Sequence, residues 1–298
     1  MSVKKIRIFL IPFLVLLILG SVFLGSEKAF ALAEAEKGQM LRQIEILKRE
    51  ISVLQGLLLN LQLRQDINAS SYLVLNLFND SILSEKNSEQ PYSIASVTKL
   101  MTVVITMENI AEGEKITLTG KMLEPFGRSP ALFLGLEVSM ENLVKAGLIQ
   151  STNDACEALS YFLGKERFLE LMNQKAKELG MEKTIFYDVH GLNPENRSTA
   201  SDLGKLLKYI HERHPKILTI TKENNFWLPD SSGVMLKFQN VNNFYYTPDF
   251  VGGKTGYLPE AKQTLASVFN VNGVPTAIIV LHSNNRQADA FAIIRKIK

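Results

Sequence analysis

The chain has 298 residues, of which 46% are hydrophobic and 21% are charged, and its formal net charge is +3. This composition is that of an ordinary globular protein with enough apolar residues for a core. Basic residues do not cluster with aromatic ones, which argues against a nucleic-acid partner. One cysteine, Cys156, excludes an internal disulfide framework, and the four histidines lack metal-binding spacing. We therefore expect no metal and no other cofactor.

The N-terminus has the pattern of an export signal. Lys4, Lys5 and Arg7 precede an apolar run over residues 8–25, and a small-residue site ending at Ala31 follows. The run is also long enough to span a bilayer, so an uncleaved membrane anchor over residues 1–31 is the alternative. Both interpretations place the rest of the chain outside the cytoplasm, in the cell envelope.

Residues 32–67 form a second segment with helical periodicity. Isoleucine and leucine alternate at steps of three and four, which is the heptad pattern of a parallel two-stranded coiled coil. The positions are Ile44, Leu47, Ile51, Leu54, Leu58 and Leu61. The pattern predicts a coiled-coil homodimer, and the alternative is a single amphipathic helix that lies on the catalytic domain or on the membrane.

Residues 68–298 have strands at both ends and helices between them. Alternation and turn signals predict one antiparallel sheet whose first and last strands meet, flanked by helices and carrying a helical insert, which is an α/β fold of the α+β type. The predicted strands are 72–77, 82–86, 264–271 and 274–283, and short strand and loop signals occur over residues 115–136. The predicted helices are 94–105, 140–149, 154–163, 165–179, 200–211 and 287–298.

The stretch "SIASVTKLMT" carries one lysine in a helix that is apolar nearly all round. Such a helix is normally interior, and interior lysines are rare because burial of an ammonium is costly. One interpretation is that the Lys99 stem reaches the surface. The other is that Lys99 is a desolvated general base one helical turn after a nucleophilic serine, Ser96.

Two further polar motifs follow in order. Ser151-Thr152-Asn153 lies in the break between two predicted helices, and Lys254-Thr255-Gly256 lies on a predicted strand. We expect a second ammonium at Lys254 to keep Lys99 uncharged by repulsion, and Gly256 to let a substrate backbone approach the strand. Each motif alone has a structural explanation as a cap, a turn or a surface lysine. The ordered set of three is typical of penicillin-binding proteins and class A β-lactamases.

Longer stretches agree with this pattern. They are "NDSILSEKNSEQPYSIASVTKLMT", "LIQSTNDACEAL", "LMNQKAKELGMEKTIFYDVHGL", "STASDLGKLL" and "GGKTGY". In these stretches the chain resembles the serine-type D-alanyl-D-alanine carboxypeptidases, which are low-molecular-weight penicillin-binding proteins, over about residues 70–298. The resemblance implies a β-lactamase/transpeptidase-like fold, and it implies the peptide stem of peptidoglycan and β-lactam antibiotics as binding partners.

The resemblance also implies roles for individual residues. Ser96 would attack the carbonyl between the last two D-alanines, with Lys99 as base and Ser151 as proton relay. The substrate-binding residues would be Asn153, Lys254, Thr255, Gly256, Tyr257 and Arg286. The backbone N–H groups of Ser96 and Tyr257 would form the oxyanion hole. His190, in a family "HGL" segment, would be structural.

Two positions depart from the family pattern. Lys262 follows Ala261 where the family usually has glycine, and Gly252 stands where the family often has an acidic residue. We expect both to alter the cleft edge. Many relatives also carry a β-rich domain and a C-terminal anchor that this sequence lacks, so we expect any anchoring to come from the N-terminal segment.

Three other functions stay open. A DD-endopeptidase would use the same residues. A class A β-lactamase would need a deacylating glutamate, and no E-x-x-L-N segment occurs between Asn153 and Lys254. A non-catalytic cell-wall scaffold would depend on the coiled coil alone.

Overall fold

The computed structural model describes residues 27–62, 67–127, 131–230 and 232–298. The chain divides into two units, Met1–Gln62 and Leu63–Lys298. The strands are β1 Ser71–Asn76, β2 Ile82–Lys86, β3 Tyr92–Ser93, β4 Lys115–Thr117, β5 Glu137–Ser139, β6 Arg197–Ser198, β7 Asn225–Pro229, β8 Met235–Gln239, β9 Phe250–Leu258, β10 Lys262–Val271 and β11 Val274–Ser283. The helices are α1 Glu27–Gln62, α2 Lys99–Asn109, α3 Met140–Lys145, α4 Asn153–Tyr161, α5 Lys165–Glu178, α6 Ala200–Arg213, α7 Pro215–Lys222 and α8 Arg286–Ile297.

The described part of the first unit is helix α1, which is 36 residues long. It begins inside the segment predicted as signal or anchor, and residues 1–26 of that segment lie outside the described residues. No helix within the described ranges is both long enough and apolar enough to cross a membrane. In the predicted heptad, Ile44, Leu47, Ile51 and Leu54 are between 42% and 63% exposed. Leu58 and Leu61 lie outside the described side chains, and the coiled coil stays a prediction.

The second unit is built on a five-stranded antiparallel sheet in the order β2-β1-β11-β10-β9. Strand β1 pairs with β11 over its whole length, from Ser71 opposite Leu281 to Asn76 opposite Thr276. The prediction that the first and last strands meet is therefore confirmed. Strand β9, which carries the third motif, is left at one edge.

Side chains alternate between the two faces of the sheet, as the period of a strand requires. Leu73 and Ile279 face a core shared with α6, whereas Val74 and Ile278 face a second core shared with α8. The sheet thus lies between helical layers, which confirms the predicted antiparallel sheet flanked by helices.

The insert between β2 and β9 holds helices α2 to α7. The prediction of an all-helical insert is wrong in one respect, because the insert also carries three two-stranded sheets, β3–β6, β4–β5 and β7–β8. The short strand signals over residues 115–136 agree with β4, whereas the other short strands of the insert give too little alternation to be read from sequence. Helix α2 lies at the centre, with every residue from 99 to 106 buried, as its apolar pattern predicted.

Candidate active site

Ser96 lies in a 3₁₀ turn, Ala95–Thr98, that leads directly into α2 at Lys99. The sequence predicted the first turn of an α-helix. In the tighter 3₁₀ turn, side chains at i and i+3 are eclipsed, which brings Lys99 under Ser96. Ala95 has a φ of +48°, and such a left-handed conformation costs about 1–2 kcal/mol for a residue with a side chain. Backbone strain therefore directly precedes the serine.

Two glycines allow other elements to close on this turn. A Cβ atom on Gly191 would lie 2.0 Å from the Ala95 carbonyl oxygen, and one on Gly256 would lie 2.9 Å from the Ser96 nitrogen. Neither position has room for a side chain. The sequence interpretation of Gly256 was that it admits a substrate backbone, and the structure gives it a different requirement, the approach of the serine turn to β9.

The Lys99 amine is completely buried. Its Nζ lies 2.9 Å from Ser96 Oγ, 2.7 Å from Asn153 Oδ1 and 2.5 Å from the His190 carbonyl oxygen. The amide oxygen and the carbonyl can only accept, so they take two N–H bonds. A neutral amine then has one lone pair left, and the Ser96 hydroxyl is the partner that can donate to it. In the contact as it stands, Nζ donates to Ser96 Oγ, so the three oxygens also accommodate the three N–H bonds of the ammonium form. Loss of one proton from that form leaves the lone pair facing the serine hydroxyl, as a general base needs.

Burial lowers the pKa of Lys99 to about 8, although Asp188 and Asp154 nearby favour its charged form. The alternative that the lysine stem reaches solvent is excluded by this burial. A pKa near 8 leaves an appreciable neutral fraction at physiological pH, which suits proton transfer.

Ser151 is positioned by a local departure from helical geometry. The predicted helix 140–149 is divided into α3 and a π-turn, Ala146–Gln150, after which Ser151 adopts a left-handed φ of +60°. Asn153 then begins α4, and its Nδ2 donates to the Phe126 carbonyl at 2.6 Å. The π-turn thus turns the chain so that both polar side chains of the second motif reach the cleft.

Lys254 connects the third motif to the second. Its buried Nζ donates to Ser151 Oγ at 2.8 Å and to the Thr255 carbonyl at 2.9 Å. Burial, together with repulsion from Lys99, holds the pKa of Lys254 well below that of an exposed lysine. Burial is the main cause of the lowered pKa at Lys99. The repulsion between the two buried amines is mutual, so the expectation that Lys254 helps to keep Lys99 uncharged stays a prediction, and Arg286 adds further positive charge beside Lys254.

The edge strand β9 carries the remaining predicted residues. Thr255 is nearly buried, and the Tyr257 side chain is 65% exposed. Arg286, the first residue of α8, donates from Nη1 to the Gly256 carbonyl at 2.8 Å. Hydrogen bonds and the close approach of Gly256 to the Ser96 nitrogen thus join seven of the nine predicted site residues in one cluster, and the other two, Thr255 and Tyr257, flank Gly256 on β9.

The two departures from the family pattern lie in β9, where α7 packs on it, and at the start of β10. A Cβ on Gly252 would lie 2.3 Å from the Leu218 carbonyl, so glycine is required for α7 to pack on β9. Lys262 begins β10 with a φ of +51°, a conformation that favours glycine.

Two backbone groups of the site could not be identified from the sequence. The carbonyl oxygens of His190 and Phe126 accept hydrogen bonds from Lys99 and Asn153. Every residue has a carbonyl, so no side-chain pattern marks these two. His190 was predicted to be structural, and its position in the "HGL" segment was the one available signal.

Comparison with known proteins identifies related sequences. The family model for D-alanyl-D-alanine carboxypeptidase, peptidase S11, matches residues 60–285. A D-alanyl-D-alanine endopeptidase of Haemophilus influenzae is 31% identical over 229 residues, covering 75% of this chain and 77% of that protein. The D-alanyl-D-alanine carboxypeptidase DacC of Escherichia coli is 35% identical over 175 residues, covering 54% of this chain and 44% of DacC.

Solved structures show the same fold. A D-alanyl-D-alanine carboxypeptidase from Mycobacterium tuberculosis has a TM-score of 0.72 at 22% identity, covering 78% of this chain and 91% of that one. A variant of the Streptomyces K15 DD-transpeptidase has a TM-score of 0.70 at 24% identity, covering 78% and 98%. The fold is therefore the α/β transpeptidase-like fold of penicillin-binding proteins. By its sequence, the chain belongs to the peptidase S11 family of D-alanyl-D-alanine carboxypeptidases.

Proposed function

We propose that this chain is a serine-type DD-carboxypeptidase that removes the terminal D-alanine from peptidoglycan stem peptides through an acyl-enzyme on Ser96. The observation that carries the proposal is the completely buried Lys99 amine, 2.9 Å from the Ser96 hydroxyl oxygen. Its other two contacts are acceptors, which leaves the lone pair for the serine proton.

In the acylation step, Lys99 takes the Ser96 proton while Oγ attacks the carbonyl carbon of the D-Ala-D-Ala bond. The oxyanion is stabilised by the backbone N–H groups of Ser96 and Tyr257, and one such donor is worth about 3 kcal/mol of the barrier. The amine of the departing D-alanine must gain a proton, and Ser151, held by Lys254 at 2.8 Å, supplies it. The proton that Lys99 took from Ser96 then returns to Ser151, which leaves the Lys99 amine neutral for the second step.

The terminal carboxylate of the substrate is bound at the cationic end of the cleft. Thr255 offers a hydroxyl, Arg286 offers a guanidinium that is held at the Gly256 carbonyl, and Lys254 offers N–H donors. Asn153 would hold a substrate amide with its Nδ2 group. Water then hydrolyses the ester on Ser96, with the same Lys99 amine as base, and the free enzyme returns.

Mass spectrometry after incubation with benzylpenicillin tests this proposal. We expect a long-lived penicilloyl adduct on Ser96 and none in Ser96→Ala. Ser93→Ala is the matched control, because Ser93 is a serine of the same segment that lies three residues earlier and is buried. Steady turnover of penicillin without an accumulating adduct would instead support a β-lactamase.

A DD-endopeptidase is the second candidate, and the coverage of the relatives favours it. The chain spans 77% and 72% of the two endopeptidases from H. influenzae and E. coli. It spans only 44% and 53% of the carboxypeptidases DacC and DacF. Parallel assays on a free pentapeptide and on a cross-linked muropeptide dimer distinguish the two. Release of free D-alanine from the pentapeptide supports the carboxypeptidase. Cleavage of the muropeptide dimer without release of D-alanine from the pentapeptide would show that the chain is an endopeptidase instead.

The N-terminal segments belong to the proposal as well. Residues 1–31 would export the chain and hold it at the membrane, α1 would form a parallel coiled coil, and residues 68–298 would be the catalytic domain in the cell envelope. Exposure of Ile44, Leu47, Ile51 and Leu54 supports the coiled coil. Sedimentation of the full chain in detergent should give a dimer, and Leu47→Glu should give a monomer with unchanged penicillin binding. A wild-type monomer would contradict this arm of the proposal.

A further inference from the structure

The peptide unit between His190 and Gly191 connects a carboxylate to the buried amine. The Gly191 N–H donates to Asp188 Oδ1 at 2.6 Å, and the His190 carbonyl accepts from Lys99 Nζ at 2.5 Å. In a planar trans peptide the N–H and C=O bonds point in opposite directions. One rigid unit therefore lies between Asp188 and Lys99.

The Asp188 carboxylate is itself held firmly. Besides Gly191, Oδ1 accepts from the His190 N–H at 3.1 Å and from Asn196 Nδ2 at 2.8 Å. Oδ2 accepts from the Asn193 N–H at 2.6 Å. Hydrogen bonds to an ionised acceptor are roughly twice as strong as neutral ones. The loop 188–196 is therefore folded around this one carboxylate.

The loop is also fixed to the serine turn. Asn196 Nδ2 lies 3.1 Å from Thr98 Oγ1, and Gly191 packs directly on the Ala95 carbonyl. The His190 carbonyl, which accepts from Lys99, and the turn that carries Ser96 therefore belong to one packed arrangement.

We propose that Asp188 is a positioning residue for the activation of Ser96: through the 190–191 peptide it fixes the His190 carbonyl on Lys99 and so aims the amine lone pair at the serine hydroxyl. A neutral lysine amine can rotate about its Cε–Nζ bond. Its lone pair is held in one direction only when two fixed acceptors take its two N–H bonds. A charge-assisted bond to the N–H end of a peptide also strengthens its carbonyl as an acceptor. The inference rests on the proposed role of Lys99 as base.

The charges that face Lys99 make the role measurable. Cys156 and Asp154 face it from α4, Asp188 and His190 from the loop, and Lys254 from β9. Burial raises the pKa of Cys156 to about 11 and lowers that of His190 to about 4, so both are neutral at pH 7. Asp154 and Asp188 then supply the negative charge that favours the ammonium form of Lys99.

The experiment measures the rate constant for acylation by a fluorescent penicillin from pH 5.5 to pH 9.5 in four proteins. They are the wild type, Asp188→Asn, Asp188→Glu and Asp289→Asn. The last is the matched control, because Asp289 is a buried carboxylate that accepts a backbone N–H from Asn68 at 2.7 Å. Thermal unfolding of each variant is recorded alongside.

The pH–rate profile has an acid limb, where the rate rises with pH, and a plateau at high pH. For Asp188→Asn we expect the plateau rate to fall about tenfold, since misplacement of the Lys99 amine by a fraction of an ångström is costly in catalysis. We also expect the acid limb to move to lower pH by about 0.5 pH unit or more, because a negative charge near Lys99 is lost. Asp188→Glu keeps the charge, so its limb should stay at the wild-type position while its plateau falls. Asp289→Asn should lose stability with neither kinetic change.

A fall in the Asp188→Asn plateau with no movement of the limb would show a merely structural role and overturn the inference. If Asp188→Asn does not fold, the acylation rate of Asp188→Glu tests the inference. Acylation of Asp188→Glu at the wild-type rate would show that the position of the carboxylate is unimportant and would overturn the inference. If the wild type itself is not acylated, the proposed function fails first.

Discussion

Replacement of Lys99 by methionine removes the proposed base and keeps most of the side-chain volume. Lys99 is fully buried among groups from α4, β9 and the 188–196 loop, so alanine would add a cavity to the chemical change. Lys99→Met separates these effects. The three polar contacts of Nζ are lost, and the surrounding hydrocarbon packing is retained.

The acylation rate should fall by a factor of about 10² to 10⁴, which is the contribution of a positioned general base. This factor corresponds to roughly 3–5 kcal/mol of barrier at 1.36 kcal/mol for each tenfold step. The Ser96 hydroxyl in the variant has no other amine within the hydrogen-bond contacts described for it, so water must remove the proton.

The fold should survive because two opposing terms nearly cancel. The pKa of Lys99 is about 8 in the folded chain against 10.5 in an exposed lysine, a difference worth about 3 kcal/mol. Because the folded pKa is lowered, this penalty is fully present below about pH 8 and disappears as the pH rises to 10.5. Methionine removes the penalty, but leaves Asn153 Oδ1 and the His190 carbonyl without a donor, at about 1–3 kcal/mol each. We expect the net change in the free energy of unfolding at pH 7 to be below about 3 kcal/mol.

Time courses of fluorescent penicillin labelling give the acylation rate, and urea unfolding gives the stability. Lys175→Met is the matched control, since Lys175 is a largely buried lysine that pairs with Glu108 at 2.9 Å. It should lose stability and acylate at the wild-type rate. Labelling of folded Lys99→Met on Ser96 within tenfold of the wild-type rate would refute the assignment of Lys99 as base.

Three further outcomes are expected. The wild-type acylation rate should rise with pH through a midpoint near 8, the pKa of Lys99, so pH-rate profiles with a midpoint below 7 would contradict a lysine base. Gly191→Ala should lose about 2 kcal/mol or more in thermal unfolding and acylate more slowly, because its Cβ would meet the Ala95 carbonyl at 2.0 Å. Lys262→Gly should raise the stability by about 0.5–1 kcal/mol by calorimetry, since relief of left-handed strain exceeds the added chain entropy. A loss of stability in that variant would show that contacts of the lysine stem outweigh the strain at its φ of +51°.

Much of the fold could be predicted from local sequence. The alternating runs around Leu73 and Ile279 indicated strands, and the apolar run after Ser96 indicated a buried helix, because both patterns repeat with the period of the element they form. The missed elements are short. The hairpin β7–β8 has five residues in each strand, and α7 has eight. Such segments are fixed by packing, as Gly252 against Leu218 shows.

The sequence by itself determined the three motifs, their order and the family, because side-chain identity and spacing are properties of the linear chain. Only the tertiary structure decided how the amine of Lys99 is held, since its acceptors come from positions 54 and 91 residues away. Three other features also depend on backbone conformation and on contacts between distant segments. They are the left-handed conformation of Ser151, the close approach of the serine turn to Gly256, and the hydrogen bond from the Gly191 N–H to the Asp188 carboxylate. Such contacts leave no local pattern, because every residue carries the same carbonyl and N–H groups.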